Sequence, residues 1–167
     1  EHFIAKETGG DGSEFRVLEN YGKTLGAVKA FPVINSYPKA KDAPFVEYDF
    51  VLEQGGEMSL DFFMNPSNPA YKDMKLAFVA EVNGQKILKD AVDSKKFAVG
   101  DNQEPWGTDV TNNIRVSTVY ADCKAGLNKL RLYPVTPNVV LEKIVIHSAE
   151  VTMPYSYLGA PETYFVK

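Results

Sequence analysis

Trp106 is the only tryptophan of the chain, and Asp101, Asn102, Gln103, Glu104 and Pro105 lead into it. The grouping suits a sugar site: a flat ring against the C–H face of a pyranose, with amides and carboxylates for its hydroxyls. It equally suits a ring that closes one end of a hydrophobic core. Asn112 and Asn113 follow six and seven residues later and can return beside the ring. Trp106 is therefore expected at one edge of the fold, partly exposed, with one of the two asparagines nearby. Carboxylates are plentiful, among them Glu1, Glu7, Glu14, Glu19, Asp49, Asp61, Asp109 and Glu142. A glycosidase needs two of them ~5–10 Å apart across a cleft. Most of these fall at outward strand positions, where a solvated face explains them, and no catalytic residue is assigned.

Glu142 differs from the rest because it lies in the apolar run Val-Val-Leu-Glu-Lys-Ile-Val-Ile. An isolated buried charge is expensive, so this carboxylate must reach the open end of the fold or find a partner. Calcium held by carboxylates and carbonyls would satisfy it. A lysine, arginine or tyrosine would do so equally well. The two histidines, His2 and His147, and the one cysteine, Cys123, do not cluster at zinc-ligand spacing. Each reads as structural. A single cysteine also excludes an internal disulfide.

The elements that must position these residues are strands. Apolar residues alternate with polar ones in Val46, Tyr48, Phe50 and Leu52, again in Met58, Leu60 and Phe62, and again in Leu76, Phe78, Ala80 and Val82. Asn83-Gly84 supplies the positive φ values of a tight hairpin turn, with 86–92 as the return strand. Further strands are predicted at 2–6, 14–19, 26–31, 114–121, 128–133 and 139–151. Residues 34–44 and 93–113, rich in proline, glycine and asparagine, read as loops. So many short strands with one apolar face each need a second sheet to cover that face. The expected architecture is an all-β jelly-roll sandwich of two antiparallel sheets, with residues 1–167 forming one domain.

The chain has 167 residues, 44% of them hydrophobic and 24% charged, with a net charge of −4. Nucleic acid and anionic membrane both demand a basic face, so neither is expected as a partner. The chain opens on Glu-His-Phe-Ile with no initiator methionine, which reads as a piece of something longer.

Several segments taken in order carry a family resemblance. They are Glu-His-Phe at the start, Tyr21-Gly22 with Leu25-Gly26 and Ala-Val-Lys-Ala-Phe-Pro, Glu47-Tyr48-Asp49-Phe50, and Asn65-Pro66-Ser67-Asn68-Pro69. Trp106 with Val110 and Asn112-Asn113, the run 139–146, and the ending Ser-Tyr-Leu-Gly-Ala-Pro-Glu complete the series. Together they resemble the C-terminal domain of glycoside hydrolase family 115, the xylan α-1,2-glucuronidases. Tyr21 stands where the family pattern has tryptophan, and Asn68 departs from its Pro-Thr-x-Pro flavour.

The resemblance implies a galactose-binding-like β-sandwich related to carbohydrate-binding modules of families 6 and 35. It implies a structural calcium site whose matching positions here are Glu1 and Glu142, and a binding or interface role for Tyr21 beside Trp106, Asn112 and Asn113. The catalytic chemistry of the family belongs to upstream domains. The implied role is accessory, in a secreted or periplasmic enzyme: packing on the catalytic domains, supporting a homodimer, or binding glucuronoxylan or another plant polysaccharide. An autonomous carbohydrate-binding module is the alternative.

Overall fold

A computed structural model describes residues 2–69, 74–92 and 104–163, with the side chains of 92 and 104–106 left undescribed. Ten strands, β1 (Ala5–Glu7), β2 (Glu14–Glu19), β3 (Gly26–Phe31), β4 (Phe45–Leu52), β5 (Gly56–Met64), β6 (Leu76–Val82), β7 (Gln85–Val92), β8 (Arg115–Cys123), β9 (Gly126–Pro134) and β10 (Val140–Ser148), form two five-stranded sheets. The first sheet runs β1-β4-β9-β6-β7 and the second β2-β3-β10-β5-β8. Every pairing is antiparallel, so each strand can bury one face and solvate the other.

The alternation read from the sequence is the alternation of the core. Val46, Leu60, Phe62, Phe78, Leu130 and Leu132 are fully buried between the sheets. Phe62 of the second sheet meets Phe78 of the first with ring centroids 4.9 Å apart and tilted planes, a favourable aromatic arrangement. The Asn83-Gly84 turn has φ values of 50° and 91°, as a two-residue hairpin requires. Residues 34–44 include a single 3₁₀ turn at Ala40–Asp42. They lie over the outer face of the first sheet, where Tyr37 and Ala43 pack with Val79 and Tyr133. The rest of that face is a ladder of alternating charge. Glu47 accepts from Lys129 at 2.6 Å and from Arg131 at 2.6 Å, which holds its carboxyl below the usual range.

The segment 93–113 departs from expectation. Residues 93–103 lie outside the described part, but Glu104–Asn112 is a nine-residue helix, α1. Pro105 and Gly107 read as loop residues, yet proline is tolerated in the first turn, where its missing N–H has no intrahelical partner. The helix ends in a Schellman motif, with Asn113 at φ 52°, its N–H on the Val110 carbonyl at 3.1 Å and that of Ile114 on Asp109 at 3.1 Å. The Asn112-Asn113 pair is thus a helix stop. After β10, residues 151–163 have no regular structure. Lys143 donates to the carbonyls of Leu158, at 2.9 Å, and Ala160, and so pins this tail to the second sheet.

Candidate functional site

Glu142 is the centre of one end of the sandwich. A register shift in the β10–β5 pairing falls between Leu141 and Lys143, at Glu142. Such irregularities re-aim a side chain, and here the carboxylate meets the β2–β3 turn. Its Oε2 accepts the backbone N–H groups of Lys23 at 2.8 Å and Thr24 at 3.2 Å, and the Thr24 hydroxyl lies at 3.5 Å. Its Oε1 accepts from Asn65 Nδ2 at 3.4 Å. Gly22, at φ 72°, leaves the room the carboxylate uses, because a Cβ there would stand 2.2 Å from Oε1. Burial pushes the Glu142 carboxyl above its ordinary value of 4.5, opposed by the donors of Thr24, Lys23 and Asn65.

Tyr21 joins the same network, its hydroxyl donating to Asn65 Oδ1 at 3.5 Å, the limit of a hydrogen bond. Ser67 donates to the same oxygen at 3.2 Å. The carbonyl of Ser67 in turn accepts from Arg115 Nη1 at 2.9 Å, while Arg115 Nε donates to Asp109 of α1 at 2.7 Å. The loop 65–69 therefore couples the Glu142 turn to the helix that bears Trp106 and Asn112 and stops at Asn113. Tyr21 and Glu142 come together, and α1 reaches them through Arg115. The Trp106 side chain lies outside the described residues, as does Glu1, so the expected Glu1–Glu142 pair has only its second member in view.

The fit of calcium to Glu142 is decided by its neighbours. Both carboxylate oxygens face N–H donors, which satisfy an anion and repel a cation. Among the described residues, no three His, Cys, Asp or Glu side chains gather as a metal site. The donors described around Glu142 are those that cradle an anion, and Glu1, the other expected ligand, lies outside the described residues.

Both histidines are engaged, His2 at the surface and His147 half-buried. His2 pairs with Glu162 of the tail. Nε2 of His147 lies 3.1 Å from Asp61, which also accepts from Thr118 at 2.6 Å. Cys123 is a buried thiol whose ionisation burial and Asp122 push up, which suits structure rather than nucleophilic attack. The sequence reading missed Asn65, Lys23, Thr24 and Arg115 as members of this end. The one signal for them was the polar charge in the apolar β10 run, which demanded partners without naming them.

The chain matches the glycosyl hydrolase family 115 C-terminal domain over residues 1–162. No curated protein matches it. Among solved structures it is similar to a family 115 4-O-methyl-α-glucuronidase, BtGH115A, with specificity for decorated arabinogalactans. That similarity has a TM-score of 0.62 at 13% identity, covering 90% of this chain and 18% of that one. A family 35 carbohydrate-binding module from Clostridium thermocellum superposes with a TM-score of 0.55 at 16% identity, over 86% of this chain and 93% of the module. An exo-β-1,3-galactanase from Phanerochaete chrysosporium gives 0.53 at 15% identity, over 86% of this chain and 27% of that one. The chain thus spans under a fifth of the length of the glucuronidase and nearly the whole of the binding module. The fold is the galactose-binding-like β-sandwich of these modules, and with all but the last five of its residues inside the family match, the chain belongs to the C-terminal domain family of the family 115 glycosyl hydrolases.

Proposed function

We propose that the chain is a non-catalytic accessory domain of a secreted or periplasmic xylan α-1,2-glucuronidase, and that it packs on the catalytic domains. The observation that supports this reading is the construction of the Glu142 end. Its carboxylate, amides and hydroxyls bond to one another rather than converging on a cleft. They hold a turn and a helix rigidly in place while leaving apolar side chains outside. Dimer formation and retention of glucuronoxylan near the active site are further roles open to such a domain. The isolated chain should release no glucuronic acid from decorated xylo-oligosaccharides, and measurable turnover by it alone would sink the proposal.

The second reading, an autonomous carbohydrate-binding module, draws support from the likeness to a complete family 35 module. Trp106 is its natural reporter, since stacking on a sugar changes indole emission. Titration with glucuronoxylan oligosaccharides separates the two: a saturable change in tryptophan fluorescence favours the module, a flat response the packing domain.

A further inference from the structure

The β2–β3 turn is held in a conformation its sequence resists. Leu25 sits at φ 62°, a left-handed backbone that a bulky side chain disfavours and that glycine or asparagine adopts readily. Its side chain is not buried in compensation, for Leu25 is 70% exposed. What fixes the turn is the grip of Glu142 on the amides of Lys23 and Thr24, closed by the bond from Asn20 N–H to the Leu25 carbonyl at 3.0 Å. The tail crosses the same turn. The Lys23 ammonium rests 3.8 Å from the centroid of the Tyr157 ring, a cation–π contact, and no carboxylate of the described residues pairs with it. Tyr157 is 62% exposed and Leu158 52%, with Tyr21 on the near side of the turn also exposed.

Strain kept at an exposed apolar residue marks a surface shaped for contact rather than for stability. We infer that Tyr21, Leu25, Tyr157 and Leu158, around Lys23, form the surface that docks onto the catalytic part of the same enzyme, against an apolar patch bearing an acidic side chain that pairs with Lys23. The inference rests on the accessory-domain reading above. Leu25 and Leu158 offer no flat π face for a sugar, Lys23 covers one face of the Tyr157 ring, and the Tyr21 hydroxyl bonds inward to Asn65, so a protein surface fits better than a glycan. Among the described residues this ammonium has an aromatic face but no carboxylate, and that sets the charge of the partner. The size of a family 115 enzyme supplies the candidate, since the matching domain is 18% of the solved glucuronidase chain.

Hydrogen exchange on the chain alone and in the longer enzyme that carries it tests the assignment. In the enzyme, amides at Tyr21, Leu25 and residues 155–158 should exchange at least about tenfold more slowly than in the isolated chain. Leu25→Asn should raise the melting temperature of the isolated chain by about 2–4 °C, by relieving the strain. In the enzyme the same change should remove the added protection, a loss that a purely structural leucine would not produce. Protection elsewhere on the chain but not at these segments overturns the docking surface and leaves the accessory role standing. No protection anywhere overturns both. Slowing that grows with concentration of the isolated chain would assign the surface to a second copy, and slowing on addition of glucuronoxylan oligosaccharides would assign it to sugar; each replaces the docking proposal.

Discussion

Two charges, Arg115 buried and Glu142 half-buried, hold irregular segments to the same end of this sandwich, and they do it in opposite ways. Arg115 anchors α1 with a full counter-charge, Asp109 at 2.7 Å, and a carbonyl, Ser67, at 2.9 Å. Glu142 anchors the β2–β3 turn with neutral donors only, two backbone N–H groups, a hydroxyl and an amide. Removing one member of an ion pair strands the other charge, whereas an anion held by neutral dipoles can be neutralised in place. The first anchor is therefore brittle and the second adjustable, although a single loop, 65–69, connects them.

The brittle anchor should give the largest effect. The Arg115 side chain is 5% exposed and that of Asp109 20%. Arg115→Met fills the space but leaves the carboxylate and the Ser67 carbonyl without this donor. Breaking a buried pair costs about 3–5 kcal/mol, and the partial exposure of Asp109 places this one near 3. Urea unfolding should show the midpoint fall at unchanged slope. A loss under about 1 kcal/mol would mean that the pair is as weak as a surface contact, and the contrast would collapse.

Gly22→Ala strikes the adjustable anchor from the turn side and should cost somewhat less. Alanine at φ 72° pays roughly 1–2 kcal/mol for the left-handed backbone, and its Cβ would stand within 2.6 Å of three carboxyl atoms of Glu142. The carboxylate can swing away only by releasing Lys23 and Thr24, so the total should come to about 2 kcal/mol. The same variant in a Glu142→Ala background should lose only the backbone share. Full additivity of the two changes would show that the turn and the carboxylate do not communicate.

Much of this was legible in the sequence, for physical reasons. Period-two alternation reports burial of one strand face, so β2, β3 and the β6–β7 hairpin fall where the alternation and Asn83-Gly84 place them. Strand ends shifted by one to three residues: β5 runs on to Met64 and β9 to Pro134, whereas β1, expected at 2–6, spans Ala5–Glu7, and β10, expected to reach 151, stops at Ser148. Helix α1 was missed because its nine residues carry Pro105 and Gly107, and among its described side chains Asp109 is held by an ion pair while Val110 stays exposed. The anomaly at Glu142 was visible, since a charge in an apolar run must be satisfied. Its partners were not, because backbone amides leave no trace in side-chain identity and lie nearly 120 residues away.

The smallest and most discriminating effect concerns the charge state of Glu142. Its folded-state ionisation lies above the ordinary value of 4.5, because burial outweighs the hydrogen bonds that favour the anion. Between that ordinary value and the raised one, the native state holds a proton that the unfolded chain has released. The protonated form therefore favours folding, and that contribution is lost as pH rises through the folded-state value. Glu142→Gln removes the titration but keeps an oxygen for the amides of Lys23 and Thr24. Asn65 can turn its amide so that Oδ1 accepts from the new Gln nitrogen, while its own Nδ2 donates to the hydroxyls of Tyr21 and Ser67. Stability of the variant at neutral pH should equal or exceed that of the parent, by at most about 1 kcal/mol. Its curve should be flatter than the parent's just above pH 4.5. Melting in calcium and in chelator should agree for both proteins, because donors occupy the oxygens a cation would need. A calcium-dependent rise in the parent that Glu142→Gln abolishes would show that a cation displaces the amides, and the adjustable anchor would then be a metal site. An unchanged pH slope in the variant would show that Glu142 holds the turn without changing its charge.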